Sequence, residues 1–295
     1  MNVLITGGTG FIGSALCTRL LEGKHDITVL SRHPEAIKAP LKGVRELEQL
    51  TDDVVFDSVI NLAGEPIANK RWSEQQKQRI LSSRLDTTEK LIRYFKIIKH
   101  KPRVFISGSA IGYYGLGETN DSLDESATGD ESFSSQLCQQ WESAALQAEA
   151  LGIRTCLLRT GIVLGKGGGA LSKMLPPFKM GLGGRMGTGK HWMSWIHLDD
   201  LMGIILYCIH HDNLNGAING TSPNPVTNKM FTKTLGKVLK RPTLLPMPTF
   251  AIKLLMGQMG EELLLSGKRI LPVNVLNAGY NFKHIELEDA LLCAI

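Results

Sequence analysis

Near the start of the chain stands Ile5-Thr6-Gly7-Gly8-Thr9-Gly10-Phe11-Ile12-Gly13, which closes a short apolar run at 2–6. Gly8, Gly10 and Gly13 satisfy G-x-G-x-x-G, and Gly7, Gly10 and Gly13 also satisfy G-x-x-G-x-x-G. The spacing predicts a helix over 11–21. Between a strand and a helix, such glycines permit a tight turn. They also let backbone N–H groups approach a pyrophosphate at the helix N-terminus.

Further apolar runs at 26–30, 58–62, 103–107 and 153–159 are short and rich in Val, Ile or Leu, as strands buried on both faces of a parallel sheet should be. Helical patterns at 73–99 and 133–150 lie between them; the second sets Phe133, Leu137, Trp141, Ala144, Ala145 and Ala148 on one side. This alternation predicts an α/β fold with a Rossmann-type doubly wound parallel sheet over 1–160. Beyond residue 160, glycines cluster at 165–169 and 181–189, and helices are expected at 199–211, 227–239, 249–256 and 286–294. The expectation for 161–295 is a smaller, mainly helical substrate or lid region, some of whose elements can return to the sheet.

At the end of the second strand, Ser31 and Arg32 lie 18 and 19 residues beyond Gly13, and neither is acidic. An NAD-preferring site would place a carboxylate there, on the ribose hydroxyl. A hydroxyl and a guanidinium suit a 2′-phosphate instead, so NADP(H) is expected over NAD(H). The alternative for Arg32 is a solvated surface arginine.

The 295 residues are 43% hydrophobic and 21% charged, an ordinary globular balance. Net charge is +5, with Lys and Arg scattered along the chain, so no nucleic-acid partner is expected. Cys17, Cys138, Cys156, Cys208 and Cys293 are odd in number and widely spaced, which suggests neither a disulfide framework nor a metal site. With no signal-peptide pattern and no long apolar run, a cytoplasmic protein without membrane contact is expected, and a homodimer is an assembly open to it.

Motifs along the whole chain carry a resemblance: GGTGFIG (7–13), SR (31–32), NLAGE (61–65), RW…SSR (71–84), SGSAIGYYG (107–115), WE (141–142), LRTGIVLGKGGGAL (158–171), WIHLDDL (195–201) and AGY (278–280). The sequence resembles the short-chain dehydrogenase/reductase superfamily, and within it the atypical "epimerase family" group of YfcH-like and SDR39U-type proteins. The resemblance implies an NADP-binding fold with Gly7, Thr9, Gly10, Phe11 and Ile12 along the pyrophosphate and Ser31 and Arg32 at the adenosine phosphate. Leu62, Ala63, Gly64 and Glu65 would follow the cofactor. Arg84 would be a further phosphate contact, or else a helix-surface arginine.

Active members of that superfamily use a Tyr-x-x-x-Lys pair and a serine that positions the substrate. Ser109 fits the serine. Aligned on Trp141-Glu142, however, Ser134 and Cys138 stand where the pair belongs, and no Tyr-x-x-x-Lys occurs in the chain. Tyr113 and Tyr114 are the replacement acid–base candidates, against the reading that one ring packs and the other lines the pocket. His197 at a helix opening is read as structural more than catalytic, and Cys138 as an inert thiol. Trp192 and Trp195 with Arg185 and Lys190 either form a pocket for an anionic or aromatic substrate or pack in the core.

Two function classes follow. One is an NADP(H)-dependent oxidoreductase or epimerase acting on a small carbonyl, hydroxyl or nucleotide-sugar-like substrate. The other is a non-catalytic NADP(H)-binding redox sensor or partner-binding protein. The Ser31-Arg32 reading predicts that Arg32→Ala lowers the preference for NADPH over NADH, measured as the ratio of the two dissociation constants; an unchanged ratio would remove the assignment.

Overall fold

The computed structural model describes residues 1–50, 54–118 and 120–295. Seven parallel strands form the main sheet: β1 (Asn2–Thr6), β2 (Asp26–Leu30), β3 (Lys42–Val44), β4 (Ser58–Asn61), β5 (Val104–Ala110), β7 (Arg154–Thr160) and β11 (Gly216–Gly220). Their order is β11-β7-β5-β4-β1-β2-β3. Three two-stranded pairs accompany it: β8 (Ile162–Leu164) with β10 (Trp195–His197), β9 (Trp192–Met193) with β12 (Val226–Thr227), and β6 (Ser122–Leu123) with β13 (Arg269–Ile270). The chain winds outward from β1 to β3, then crosses back to β4 and winds the other way. Its switch point therefore lies between β1 and β4, the place beyond the strand ends where open α/β sheets bind their ligands.

Strand alternation assigns the two apolar layers. Val3, Ile5, Ile60, Ile106 and Leu158 face one side with Leu16 and Leu20 of α1 (Phe11–Glu22) and Leu201, Ile204 and Ile205 of α5 (Leu198–His210). Leu4, Val59, Phe105 and Leu157 face the other, with Leu91 and Phe95 of α2 (Glu74–Ile97) and Ala145 of α3 (Phe133–Leu146). The long helix α2 begins where Ser73 Oγ accepts from Gln76 N at 3.2 Å. That cap satisfies one of the helix's orphan donors.

A third core lies outside the sheet. Trp195, Phe231, Leu235 and Leu291 gather there with Leu171 and Phe178 of α4 (Gly169–Lys179), under α6 (Asn228–Leu239) and α10 (Leu287–Ala294). Trp195 is fully buried, and its indole donates to Asn224 O at 3.0 Å. It belongs to this core and not to a pocket. Three short helices complete the chain: α7 (Thr249–Met256), α8 (Gln258–Leu264) and α9 (Val273–Asn277).

The boundary expected at residue 160 does not divide the sheet. Strand β11 lies beyond it, pairs with β7 from Gly216↔Cys156 to Gly220↔Thr160, and carries α5 against α1. Helix α3 is shorter than its apolar pattern: it ends at Leu146 and continues as a 3-10 turn at Glu149–Leu151. Since α5 helps close the first core, Ile205→Ala should lower unfolding free energy by about 2–5 kcal/mol. Urea denaturation checks this, and an unchanged midpoint would mean that α5 is not integral to the sheet layer.

Candidate functional site

The glycine loop is built by close backbone approaches. Gly7 has φ +70°, and a Cβ there would lie 2.7 Å from Leu62 C and O at the end of β4. A Cβ on Gly13 would lie 2.2 Å from Gly7 O, so the helix packs directly on its own loop. Gly10 N donates to Gly7 O at 3.0 Å, and no side chain caps α1. The positive end of the helix is therefore left to an anion. These are cradles that only glycine leaves open, and they fit a dinucleotide pyrophosphate.

The ring of Phe11 explains the second glycine cluster. Cβ atoms on Gly165, Gly168 and Gly169 would come within 2.2–3.1 Å of it, so the 165–169 turn lies against the start of α1. At the other end of the crevice, Ser31 Oγ accepts from His33 N at 3.1 Å. The Arg32 side chain is exposed and has no hydrogen-bond or ionic partner among the described residues, while neighbouring Arg45 is paired with Glu35.

Beneath the loop runs a buried hydrogen-bond chain. Thr6 Oγ1 donates to Asn61 Oδ1 at 2.6 Å and accepts from Ala63 N at 3.2 Å. Asn61 Nδ2 donates to Thr88 Oγ1 at 2.8 Å, which also accepts from Trp141 Nε1 at 3.1 Å. The 62–65 turn is thereby fixed to β1, α2 and α3.

Arg84 lies under that same turn, where a Cβ on Gly64 would meet its Cζ at 2.9 Å. Its Nη1 donates to Glu65 O at 3.1 Å and Ile80 O at 2.9 Å, and its Cζ is 5.1 Å from the Trp141 ring centroid. Burial pushes its pKa down. It is not a solvated surface arginine: Nη1 is spent on carbonyls, and the side chain supports the turn.

The expected catalytic residues are drawn into a network that no sequence motif announced. Ser109 Oγ donates to Glu142 Oε1 at 2.6 Å. Arg159 grips the same carboxylate with Nε and Nη2, both at 2.8 Å, and donates from Nη1 to Tyr114 OH at 3.0 Å and Glu125 O at 3.2 Å. Tyr114 in turn donates to Asn219 Oδ1 at 2.7 Å. Burial alone would lower the Arg159 pKa, but its bonds to Glu142 outweigh that and raise it.

Two of the three expected groups are already engaged in this network. Tyr114 is 0% exposed, burial pushes its pKa up to about 12, and its proton is committed to Asn219. Ser109 likewise donates its hydroxyl hydrogen bond to Glu142. Tyr113 stays half-buried, with the Arg159 Cζ 3.4 Å from its ring centroid. Its hydroxyl has no partner among the described residues.

Where the Tyr-Lys pair was expected, Ser134 N and Oγ both donate to Glu262 Oε2, at 2.9 and 2.6 Å, and Glu262 Oε1 accepts from Gln258 at 2.8 Å. Cys138 is buried against Ala110 O at 3.6 Å, and desolvation, then Glu142, pushes its thiol up to about 11. The C-terminal segment also holds the loop after β5: Lys268 Nζ donates to Tyr114 O at 2.6 Å and Gly117 N donates to Ser266 Oγ at 2.7 Å. His197 caps α5, its Nδ1 accepting from Asp199 N at 3.2 Å. With Asp199 and His284 it forms the single group of three potential metal donors among the described residues; the cap bond occupies Nδ1, and Nε2 is buried with no hydrogen-bond partner among those residues.

Glu142, Arg159, Glu125, Asn219 and Glu262 were not anticipated. Glu142 and Arg159 stood in quoted motifs, WE and LRT, yet a pair 17 residues apart on different elements leaves no spacing signal. Because removing one member of a buried pair strands the other charge, Arg159→Met should cost about 3–5 kcal/mol. Chemical denaturation checks this; a loss below about 1 kcal/mol, the worth of a surface pair, would show that the two are solvated.

Comparison with known proteins places this geometry. Residues 3–219 match the model of the NAD dependent epimerase/dehydratase family, and residues 247–292 match a domain of unknown function, DUF1731. The chain is 40% identical to the Epimerase family protein SDR39U1 homolog, chloroplastic, of Arabidopsis thaliana, covering 99% of this chain and 86% of that one. It is 39% identical to the Epimerase family protein YfhF of Bacillus subtilis, with 99% and 97% covered. A crystal structure of human epimerase family protein SDR39U1 with NADPH superposes with a TM-score of 0.89 at 34% identity, covering 100% of this chain and 99% of that one. Together with the parallel sheet and its glycine cradle, these matches show that the chain belongs to the NAD dependent epimerase/dehydratase family, as a relative of SDR39U1.

Proposed function

We propose that the chain binds NADP(H) and couples it to oxidation, reduction or epimerisation of a small carbonyl or hydroxyl compound. Tyr113 serves as the acid–base group. The observation that carries this reading is the cradle around Gly7 and Gly13, where the backbone closes to distances that any side chain would block. The human relative crystallised with NADPH supports the same cofactor.

In this reading the N–H groups of the 7–12 loop hold the pyrophosphate, with Thr9, Phe11 and Ile12 along it. Ser31 and Arg32 hold the 2′-phosphate; Arg32 offers a guanidinium that no carboxylate among the described residues has claimed. Leu62, Ala63, Gly64 and Glu65 follow the cofactor, on the turn that Arg84 supports. The bound dinucleotide supplies a hydride donor or acceptor.

Tyr113 is the phenol left for proton transfer. Its hydroxyl delivers a proton to a substrate oxygen, or removes one from it, while its ring rests on Arg159. Ser109 and Tyr114 hold the Glu142–Arg159 pair that sets the position of that ring. The five free cysteines support a reducing, cytoplasm-like setting.

A second reading, NADP(H) binding without turnover, is favoured by one observation. The usual catalytic pair is replaced by Ser134, tied to Glu262, and by a buried Cys138 thiol. Incubating cell metabolites with the protein and NADPH deuterated at the transferable position separates the two. The proposal predicts deuterium in a metabolite or, in a parallel incubation with NADP+, oxidation or isomerisation of one, with Tyr113→Phe reducing the conversion by about a hundredfold or more. Tight cofactor binding with no metabolite changed in either incubation would establish the second reading, and unchanged conversion by Tyr113→Phe would remove the tyrosine from its role.

A further inference from the structure

The scattered Lys and Arg residues conceal an uneven distribution of acids. Of the chain's 33 basic and 28 acidic residues, eleven basic and no acidic ones fall in 166–198 and 213–260, leaving 22 against 28 elsewhere. The fold brings parts of these two segments together. Met247 N donates to Arg185 O and Gly187 N to Met247 O, each at 2.9 Å, while Lys229 N donates to Gly189 O at 2.9 Å. A Cβ on Gly184 would lie 1.8 Å from Leu245 O, so the 181–187 turn lies flat on the stretch before α7.

This united surface is also the most apolar exposed part of the described chain. Every residue from Leu244 to Phe250 is exposed. Leu244 is 82% exposed, Phe250 73% and Leu254 72%, with Met180 and Leu182 exposed beside them. Lys179, Arg185, Lys229, Lys233, Lys240 and Arg241 of the same two segments are all exposed. Monomeric proteins seldom expose large apolar side chains in such a group without a partner.

We propose that this face attaches the protein peripherally to an anionic lipid bilayer, with the apolar tips entering the headgroup boundary and the cations meeting lipid phosphates. Charge decides among the partners. A second copy presenting the same face would set cation against cation, and a nucleic-acid backbone offers nothing for Leu244 and Phe250 to enter. Protruding apolar side chains accompanied by Lys and Arg have the composition that binds membrane interfaces. No described helix is long and apolar enough to cross a membrane, so the attachment concerns the surface alone. It replaces the expectation, drawn from the lack of a long apolar run, that the protein makes no membrane contact.

Cosedimentation of the full chain with vesicles tests this proposal. At low salt, phosphatidylcholine vesicles containing about one-third phosphatidylglycerol should bind at least about tenfold more protein than pure phosphatidylcholine, and high salt should abolish the difference. Leu244→Ser with Phe250→Ser, and separately Lys179→Glu with Arg241→Glu, should each remove most of that binding while leaving the thermal midpoint and NADPH affinity unchanged. No binding to anionic vesicles overturns the proposal, as does equal binding to neutral ones. Binding that survives either double variant overturns it too. A dimer in analytical ultracentrifugation that the Ser variants dissolve, with no vesicle binding, assigns the face to a second copy instead.

Discussion

The buried pair of Glu142 and Arg159 is the interaction on which the substrate side of the molecule depends. It joins α3 to β7 through two bonds of 2.8 Å and draws in Ser109 from β5, Tyr114 from the following turn and Asn219 from β11. Two charges taken out of water need their remaining hydrogen-bonding capacity satisfied. That requirement explains why a serine and a tyrosine in positions suited to chemistry are spent on structure. It also explains why β11, from far along the chain, closes the sheet beside β7: Asn219 receives the Tyr114 proton, and its backbone N–H donates to Glu125 Oε1 at 3.0 Å.

The cofactor side rests on a different constraint, the passage of backbone against backbone at Gly7 and Gly13. That constraint is local and was legible in the sequence, since glycine spacing after an apolar strand directly encodes the turn. The strands at 2–6 and 26–30 were legible for the same reason and occur with those bounds. Strand β3 is three residues long and β11 reads Gly-Ala-Ile-Asn-Gly, with a glycine at each end and little β-branched character, so neither announced itself. Pairing with a neighbour already in the sheet makes them strands, and pairing is a tertiary fact.

The chemistry was less legible than the fold. Sequence placed Tyr113 and Tyr114 just after Ser109, which stands on β5 and not in their turn, but could not say where each hydroxyl proton goes. That depends on Glu142 and Asn219, residues 33 and 105 positions from their partners. The C-terminal segment was equally opaque, since Glu262 reaches Ser134 across 128 positions. The charge asymmetry, in contrast, was present in the sequence throughout. It shows when acidic residues are mapped together with basic ones.

In the proposed reading, holding and reacting are divided among separate groups: the glycine cradle holds a dinucleotide, the buried pair holds the loop, and Tyr113 is left to react. An NADPH titration followed by nicotinamide fluorescence, run in parallel on the wild type, Gly7→Ala and Tyr113→Phe, tests that division most directly. It should show saturable binding to the wild type, loss of it in Gly7→Ala, and wild-type affinity in Tyr113→Phe. Undiminished binding by Gly7→Ala, or its loss in Tyr113→Phe alone, would contradict the account.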